Sequence, residues 1–293
     1  MRGVVLACAL AAAAGCRQTP ARESGNEASN ERVLTFSWVN RGHPTGEAEI
    51  RIEPDGKRVT HFAFQDRGRG PDIRTTSIFD PTGALRWFHV TGVDYNRAPV
   101  DERLEESDGV LRWQSPSERG QAPAGAGWYV TAQLNIDPYA LLARGLRHAA
   151  GHRLKLLPAG EAWIDDDTTR EFQVAGVARH LRRVAIAGLD YTPQVIWLDE
   201  DDEMFAGGDT AFGAIRTGAE AVLPALEADN LAWSSARAAR LAQQLGHRPP
   251  GGKLAFIHAR LYDSERRTVV PDATVVVAGD RIAAVGGAAT PVP

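Results

Sequence analysis

Glu47-Ala48-Glu49-Ile50-Arg51-Ile52-Glu53-Pro54-Asp55-Gly56 (47–56) decides the fold class. Ala48, Ile50 and Ile52 alternate with Glu47, Glu49 and Arg51, and a Pro-Asp-Gly turn follows. Successive side chains of a strand point to opposite faces, so this spacing gathers the apolar groups on one side. The turn residues then let the chain reverse. The same pattern extends in both directions. Upstream, Leu34, Phe36 and Trp38 alternate with Thr35 and Ser37. Downstream come Phe62 and Phe64, then Asp80-Pro81-Thr82-Gly83 leading into Leu85 and Trp87, then Ser107-Asp108-Gly109 before Leu111 and Trp113. Such a run predicts antiparallel strands with one face buried and the other wet.

Helices interrupt the strands at two places. Asp137-Pro138 is a good helix start, and the spacing predicts a helix over 138–150 closed by Gly151. Strands resume over 154–157, 172–174, 181–186 and 195–198. Thr217 and Glu220 have the spacing of a capping box. The segment 218–246 after it is predicted to be a long helix, with Leu223, Leu226, Trp233, Leu241 and Leu245 near one face and a kink at Pro224. Gly246 and Pro249-Pro250-Gly251-Gly252 end it and mark a domain boundary. Strands return over 254–258, 274–277 and 282–285, with a tight turn at Gly279-Asp280. The expected fold is mainly β (α+β): an antiparallel curved sheet or half-barrel over 33–248 with one long C-terminal helix, followed by a short strand segment over 253–293.

The first thirty-two residues read differently. Val4–Ala14 is an unbroken apolar run after Arg2, too short to span a bilayer, which needs about 20 residues. It has the character of an export signal. Ala13-Ala14-Gly15-Cys16 resembles the lipobox of bacterial lipoproteins, with Ala13 where leucine is usual. That resemblance implies cleavage after residue 15 and lipidation of Cys16, so 1–16 would be signal and lipobox. Cys8 would leave with the signal, and a mature chain with the single Cys16 holds no internal disulfide. Residues 17–32 are polar and read as a flexible tether. The expected location is the periplasmic side of a membrane, by lipid anchor, or outside the cell. Bulk composition is that of a globular protein, 43% hydrophobic and 24% charged. The net charge of -4, without a basic run, gives no reason to expect nucleic acid.

The C-terminal strands carry a second resemblance. Leu254-Ala255-Phe256-Ile257-His258-Ala259-Arg260-Leu261-Tyr262-Asp263, then Pro271-Asp272-Ala273-Thr274-Val275-Val276-Val277, then Gly279-Asp280-Arg281-Ile282-Ala283-Ala284-Val285-Gly286, resemble the opening of the amidohydrolase superfamily, in its imidazolonepropionase-like and prolidase-like members. The resemblance implies that 253–293 are the first strands of a β-sandwich packed beside a TIM-like barrel. In the family a Pro-Gly-Leu-x-Asp-x-His-x-His stretch follows and supplies metal ligands. This sequence contains no His-x-His, so no catalytic or metal residue is carried over. Zinc or another divalent metal is implied only for the complete enzyme, and no cofactor for this chain. Arg67-Gly68-Arg69-Gly70-Pro71, Val93-Asp94-Tyr95 and Trp197-Leu198-Asp199 resemble an accessory β domain that precedes the sandwich in some exported amidohydrolases.

Other residues have types and spacings that bear on chemistry. His148 and His152 have the i, i+4 spacing of zinc ligands, but Ala-Ala-Gly lies between them, with no glutamate to act as base. Asp199-Glu200-Asp201-Asp202-Glu203 offers oxygen ligands for calcium, yet it sits between two apolar stretches and reads as a solvated hairpin turn. Asp165-Asp166-Asp167 reads the same way. Arg67-Gly68-Arg69-Gly70 could present donors to an anion, though a turn before Pro71 is favoured. Gly251-Gly252-Lys253 fails as a phosphate loop, because His247 replaces the required glycine and Leu254 the Ser or Thr. The strand aromatics are expected to be core.

Three functional expectations follow. The first is the N-terminal portion of an exported metal-dependent amidohydrolase acting on C–N bonds of small molecules or peptides, inactive until a barrel is supplied. The second is a lipid-anchored module binding a hydrophobic ligand. The third is a partner-binding protein complemented by a separate catalytic barrel.

Overall fold

The computed structural model describes residues 31–293, save residues 81, 82, 134, 135, 210 and 248. Cys16, the lipobox and most of the tether fall outside the described residues. The chain divides into two compact units, one ending at Ala221 and the other running Val222–Pro293.

The first unit starts with a long antiparallel meander. Its strands are β1 (Arg32–Asn40), β2 (His43–Ile52), β3 (Arg58–Phe64), β4 (Asp72–Phe79), β5 (Leu85–Val93), β6 (Pro99–Ser107), β7 (Val110–Gln114) and β8 (Arg119–Pro123). A two-residue strand, β9 (Trp128–Tyr129), precedes helix α1 (Asp137–His148). A second meander follows: β10 (Arg153–Leu157), β11 (Glu161–Val174), β12 (Val177–Ala187), β13 (Gln194–Leu198), β14 (Met204–Gly208) and β15 (Phe212–Arg216). β1 pairs with β15 and so joins the two meanders into one sheet of 15 strands, ordered β8-β7-β6-β5-β4-β3-β2-β1-β15-β14-β13-β12-β11-β10-β9. The sheet is mixed, because β9 and β10 run parallel. Hydrogen bonding does not close it into a barrel.

Alternation does what the sequence implied. Phe36, Ile50 and Phe62 lie on the buried face of β1, β2 and β3 and are at most 1% exposed. Each such side chain, once buried, contributes about 1.5–3 kcal/mol. Helix α1 presents Ala140, Leu141, Leu142, Ala143 and Leu146 to this core, together with Val184, Ile186, Ile196 and Leu198 from the second meander. Pro138 sits in the first turn of α1, where its missing N–H costs nothing. Arg147 and His148 in the last turn oppose the negative end of the helix dipole. Gly145 lets α1 approach Trp128, since a Cβ there would lie 2.7 Å from the indole. A second core joins the two ends of the sheet. Tyr129 and Leu157 pack among Phe88, Leu104 and Trp113, with the Tyr129 and Trp113 ring centres 5.9 Å apart.

The second unit holds helix α2 (Leu223–Leu245) and a three-stranded antiparallel sheet of β16 (Lys253–Asp263), β17 (Thr268–Ala278) and β18 (Arg281–Gly286). These strands form a single layer. The Gly279-Asp280 turn does join β17 to β18.

Several local expectations change. Pro224 does not kink α2, because it falls in the first turn. Thr217 and Glu220 do not cap α2. Glu220 instead accepts from the Ser37 hydroxyl at 2.5 Å and the Gly218 amide at 3.1 Å. Asp165-Asp166-Asp167 is not a turn but lies inside β11, at a register shift between Ile164 and Asp166. Arginines make this tolerable: Arg183 binds Asp166 at 3.1 Å, and Arg182 binds Asp167 at 2.9 Å.

Candidate functional site

The alternation of Phe62 and Phe64 on β3 runs back through Thr60 to Arg58, so β3 points Arg58 into the interior. Its guanidinium is 4% exposed. A lone buried charge would be prohibitively costly. Two carboxylates meet it. Asp137, from the first turn of α1, accepts from Nε and Nη2, each at 2.7 Å. Glu203, at the entry to β14, accepts from Nη2 at 2.9 Å and Nη1 at 3.3 Å. Burial disfavours the Arg58 charge, but Asp137 and Glu203 outweigh it and hold the pKa above the ordinary arginine value. Glu203 also accepts from Arg144 of α1 at 3.3 Å. The network thus fixes strand, helix and turn in one geometry.

A cavity of about 410 Å³ opens above this network. Its polar wall is Arg32, Arg58, Asp80, Arg144, His148 and Glu203. Ile52, Phe79 and Leu141 supply an apolar side. Arg144 is 38% exposed, so its guanidinium is reachable while Glu203 holds it from beneath. His148, at the end of α1, is exposed at the rim. Two residues singled out in the sequence, His148 and Glu203, therefore meet here, although neither the zinc nor the calcium spacing brought them together.

The other candidates separate. His152 has φ 53° and turns its ring toward the Leu146 carbonyl oxygen, 3.3 Å away, so it does not pair with His148. Among the described residues no three His, Cys, Asp or Glu side chains gather as a metal group. Asp199–Asp202 forms a hairpin turn closed by the Asp199 amide on the Glu203 carbonyl at 2.9 Å. Burial raises the Asp199 pKa, and Arg216 binds its carboxylate at 2.9 Å. Only Glu203 of that acidic run is buried. Arg67-Gly68-Arg69-Gly70 forms a turn with a bridge between Asp66 and Arg69. Asp66 accepts from the Tyr95 hydroxyl at 2.6 Å, and the Arg69 guanidinium lies over that ring. Gly251-Gly252-Lys253 is a short turn entering β16. The aromatics Trp38, Phe62 and Phe64 pack on one another in the core.

Arg58, Asp137 and Arg144 were not flagged by sequence reasoning. Arg58 was findable: it occupies an inward position of a strand, where a charge demands a partner. Asp137 was read only as a helix start.

No family model matches this chain, and no curated protein does. One solved structure similar to it is a β-barrel-like protein of a domain of unknown function, DUF1849, from Brucella abortus. The two are 12% identical, over 64% of this chain and 93% of that one, with a TM-score of 0.37. The amidohydrolase resemblance is overturned by these findings. Nothing in these comparisons points to that superfamily. The physical reason is that Val-rich strands around Gly279-Asp280 are a general antiparallel hairpin signal, which many folds share. The amidohydrolase and hydrolase assignments, the truncated-enzyme reading and the complementing barrel are withdrawn with it. The hydrophobic-ligand module finds only weak support. The apolar crevice beside Phe88, Trp128 and Leu141 measures about 20 Å³, room for about one water.

Proposed function

We propose that the first unit is a receptor for a small anionic molecule, held in the cleft between β3, α1 and the Glu203 turn. One observation carries this reading: a reachable Arg144 guanidinium fixed from beneath by a buried Arg58–Asp137–Glu203 network. A cation already immobilised loses little entropy when it binds. The volume of about 410 Å³ suits a compact ligand. Arg144 would take its carboxylate or phosphate group, Arg32 and His148 would close the rim, and Leu141 and Phe79 would contact its carbon skeleton. The sheet is read as a curved half-barrel around α1, supported by the core that joins both meanders. Export and lipidation at Cys16 belong to the same proposal and rest on the sequence alone. They would place the cleft on the periplasmic side of a membrane.

Calorimetric titration with citrate and with inorganic phosphate tests the cleft. Binding by the native chain, weakened about tenfold in Arg144→Gln with folding unchanged, supports the reading. Equal affinity in both proteins, or no binding of either probe, overturns it. For the anchor, a Cys16→Ser chain that still partitions into detergent would refute lipidation.

A further inference from the structure

The three-stranded sheet of the second unit carries an apolar face that the cleft does not use. Phe256, Val275 and Val285 form one cross-strand row, and Leu254, Val277 and Ile282 form the next row on the same side. Ile282 and Val285 are three residues apart and would point to opposite sides of a regular strand. A register shift between Val276 and Val277 leaves Ala283 unpaired on β18 and brings both side chains to one face. Phe256 is 53% exposed, Ile282 67%, Val285 53% and Leu254 44%, with Val275 and Val277 half-buried between them. Neither row holds a charged or hydrogen-bonding side chain. Apolar residues scattered over a surface are ordinary, whereas a contiguous patch marks an interaction site.

We infer that this face pairs with the same face of a second copy of the chain. Area and chemistry single out that occupant. At these exposures the six side chains present roughly 500 Å², so two copies would bury about 1,000 Å² in total, the lower bound for a specific interface. Sheets pack face to face about 10 Å apart with their strands roughly aligned, so two three-stranded layers enclose an apolar core that one layer lacks. A two-fold pairing needs a patch that complements itself. An uncharged aliphatic and aromatic face meets its own copy without repulsion. A partner recognised by charge or by hydrogen bonds would find no group in these rows to hold it.

The test is sedimentation velocity of the full chain over a concentration series. The expected result is a monomer–dimer equilibrium with a dissociation constant of about 10 μM, as suits an interface of this size. Added sodium chloride should not weaken it, because the contact is apolar. Phe256→Lys should raise the constant at least about tenfold, since a two-fold interface counts each substitution twice and would bury the new charge. Val285→Lys, on the other outer strand, should act alike. All these chains keep the apolar run 4–14, so the difference between them reads this face. The substituted side chains are exposed, and urea unfolding confirms that each variant is folded. Arg144→Gln in the cleft should dimerise as the native chain does, which separates this face from the anion site. The inference is overturned by a native chain that stays monomeric at about tenfold above that constant, whether or not it binds phosphatidylcholine vesicles. A dimer that survives either lysine variant, as edge-to-edge strand pairing would, or one that salt dissociates, overturns it as well.

Discussion

Replacing Arg58 by methionine should be among the most damaging single changes in the first unit. The substitution keeps the bulk of the side chain and removes four charge-assisted hydrogen bonds, at 2.7, 2.7, 2.9 and 3.3 Å. It leaves Asp137 and Glu203, whose side chains are 2% and 6% exposed, without their common cation. Arg144, at 3.3 Å from Glu203, is itself partly solvated. Removing one partner of a buried ionic group costs about 3–5 kcal/mol. In a domain of this size each kcal/mol is worth roughly 2–4 °C, so the melting temperature should fall by about 6–20 °C. Urea unfolding followed by circular dichroism at pH 7.5 reads the deficit against the native chain. A triple variant, Arg58→Met/Asp137→Leu/Glu203→Met, should recover most of the loss, because a packed apolar cluster replaces the ionic one without a desolvation cost. A deficit below about 1 kcal/mol, or a triple variant that recovers none of it, would refute the picture of a dry, mutually dependent network.

Glu102 is fully buried and accepts from the Tyr129 hydroxyl at 2.6 Å, the Thr131 hydroxyl at 2.9 Å and the Ala132 amide at 3.1 Å. Glu102→Ala should cost about 3 kcal/mol by stranding these donors, and urea unfolding reads it directly. Burial first, then Glu102, raises the Tyr129 pKa, so the variant should titrate this phenol at lower pH in ultraviolet absorbance than the native chain. At acid pH the Glu200–Arg179 pair is the sensitive element. The Arg179 hydrogen bond holds Glu200 down to about 2 from its usual 4.5. A depressed carboxyl pKa gives stability that is complete above 4.5 and lost as pH falls toward 2. Because the pair is exposed, that stability is at most about 1 kcal/mol. Arg179→Gln should flatten the acid limb of the stability curve by that amount, and an unchanged limb would dismiss the pair's contribution.

Some features were written in the chain and some were not. The alternation at Leu34–Trp38 and Ala48–Ile52 announced strands because period two is a local property, felt within a few residues. Asp137-Pro138 announced α1 for the same reason. The aspartates at 165–167 were misread as a turn because their tolerance inside β11 depends on Arg147, Arg182 and Arg183, which are distant in sequence. Thr217 and Glu220 were misread as a cap because Ser37, on β1, competes for the Glu220 carboxylate. The valine-rich hairpin at 274–285 was legible as a hairpin and misleading as a family marker.

Sequence alone therefore determined the mainly β class, the turns and the first helix, since each follows from side-chain direction and backbone preference over short spans. It also supplies the export and lipidation reading of Cys16. Only the tertiary structure decided that β1 pairs with β15 to merge two meanders into one sheet, and that the sheet stays open. It alone brought Arg58, Asp137, Arg144 and Glu203 together beneath a cavity. Those residues span 58 to 203 in the chain, and buried charges find their partners by pairing in space, which no local pattern encodes.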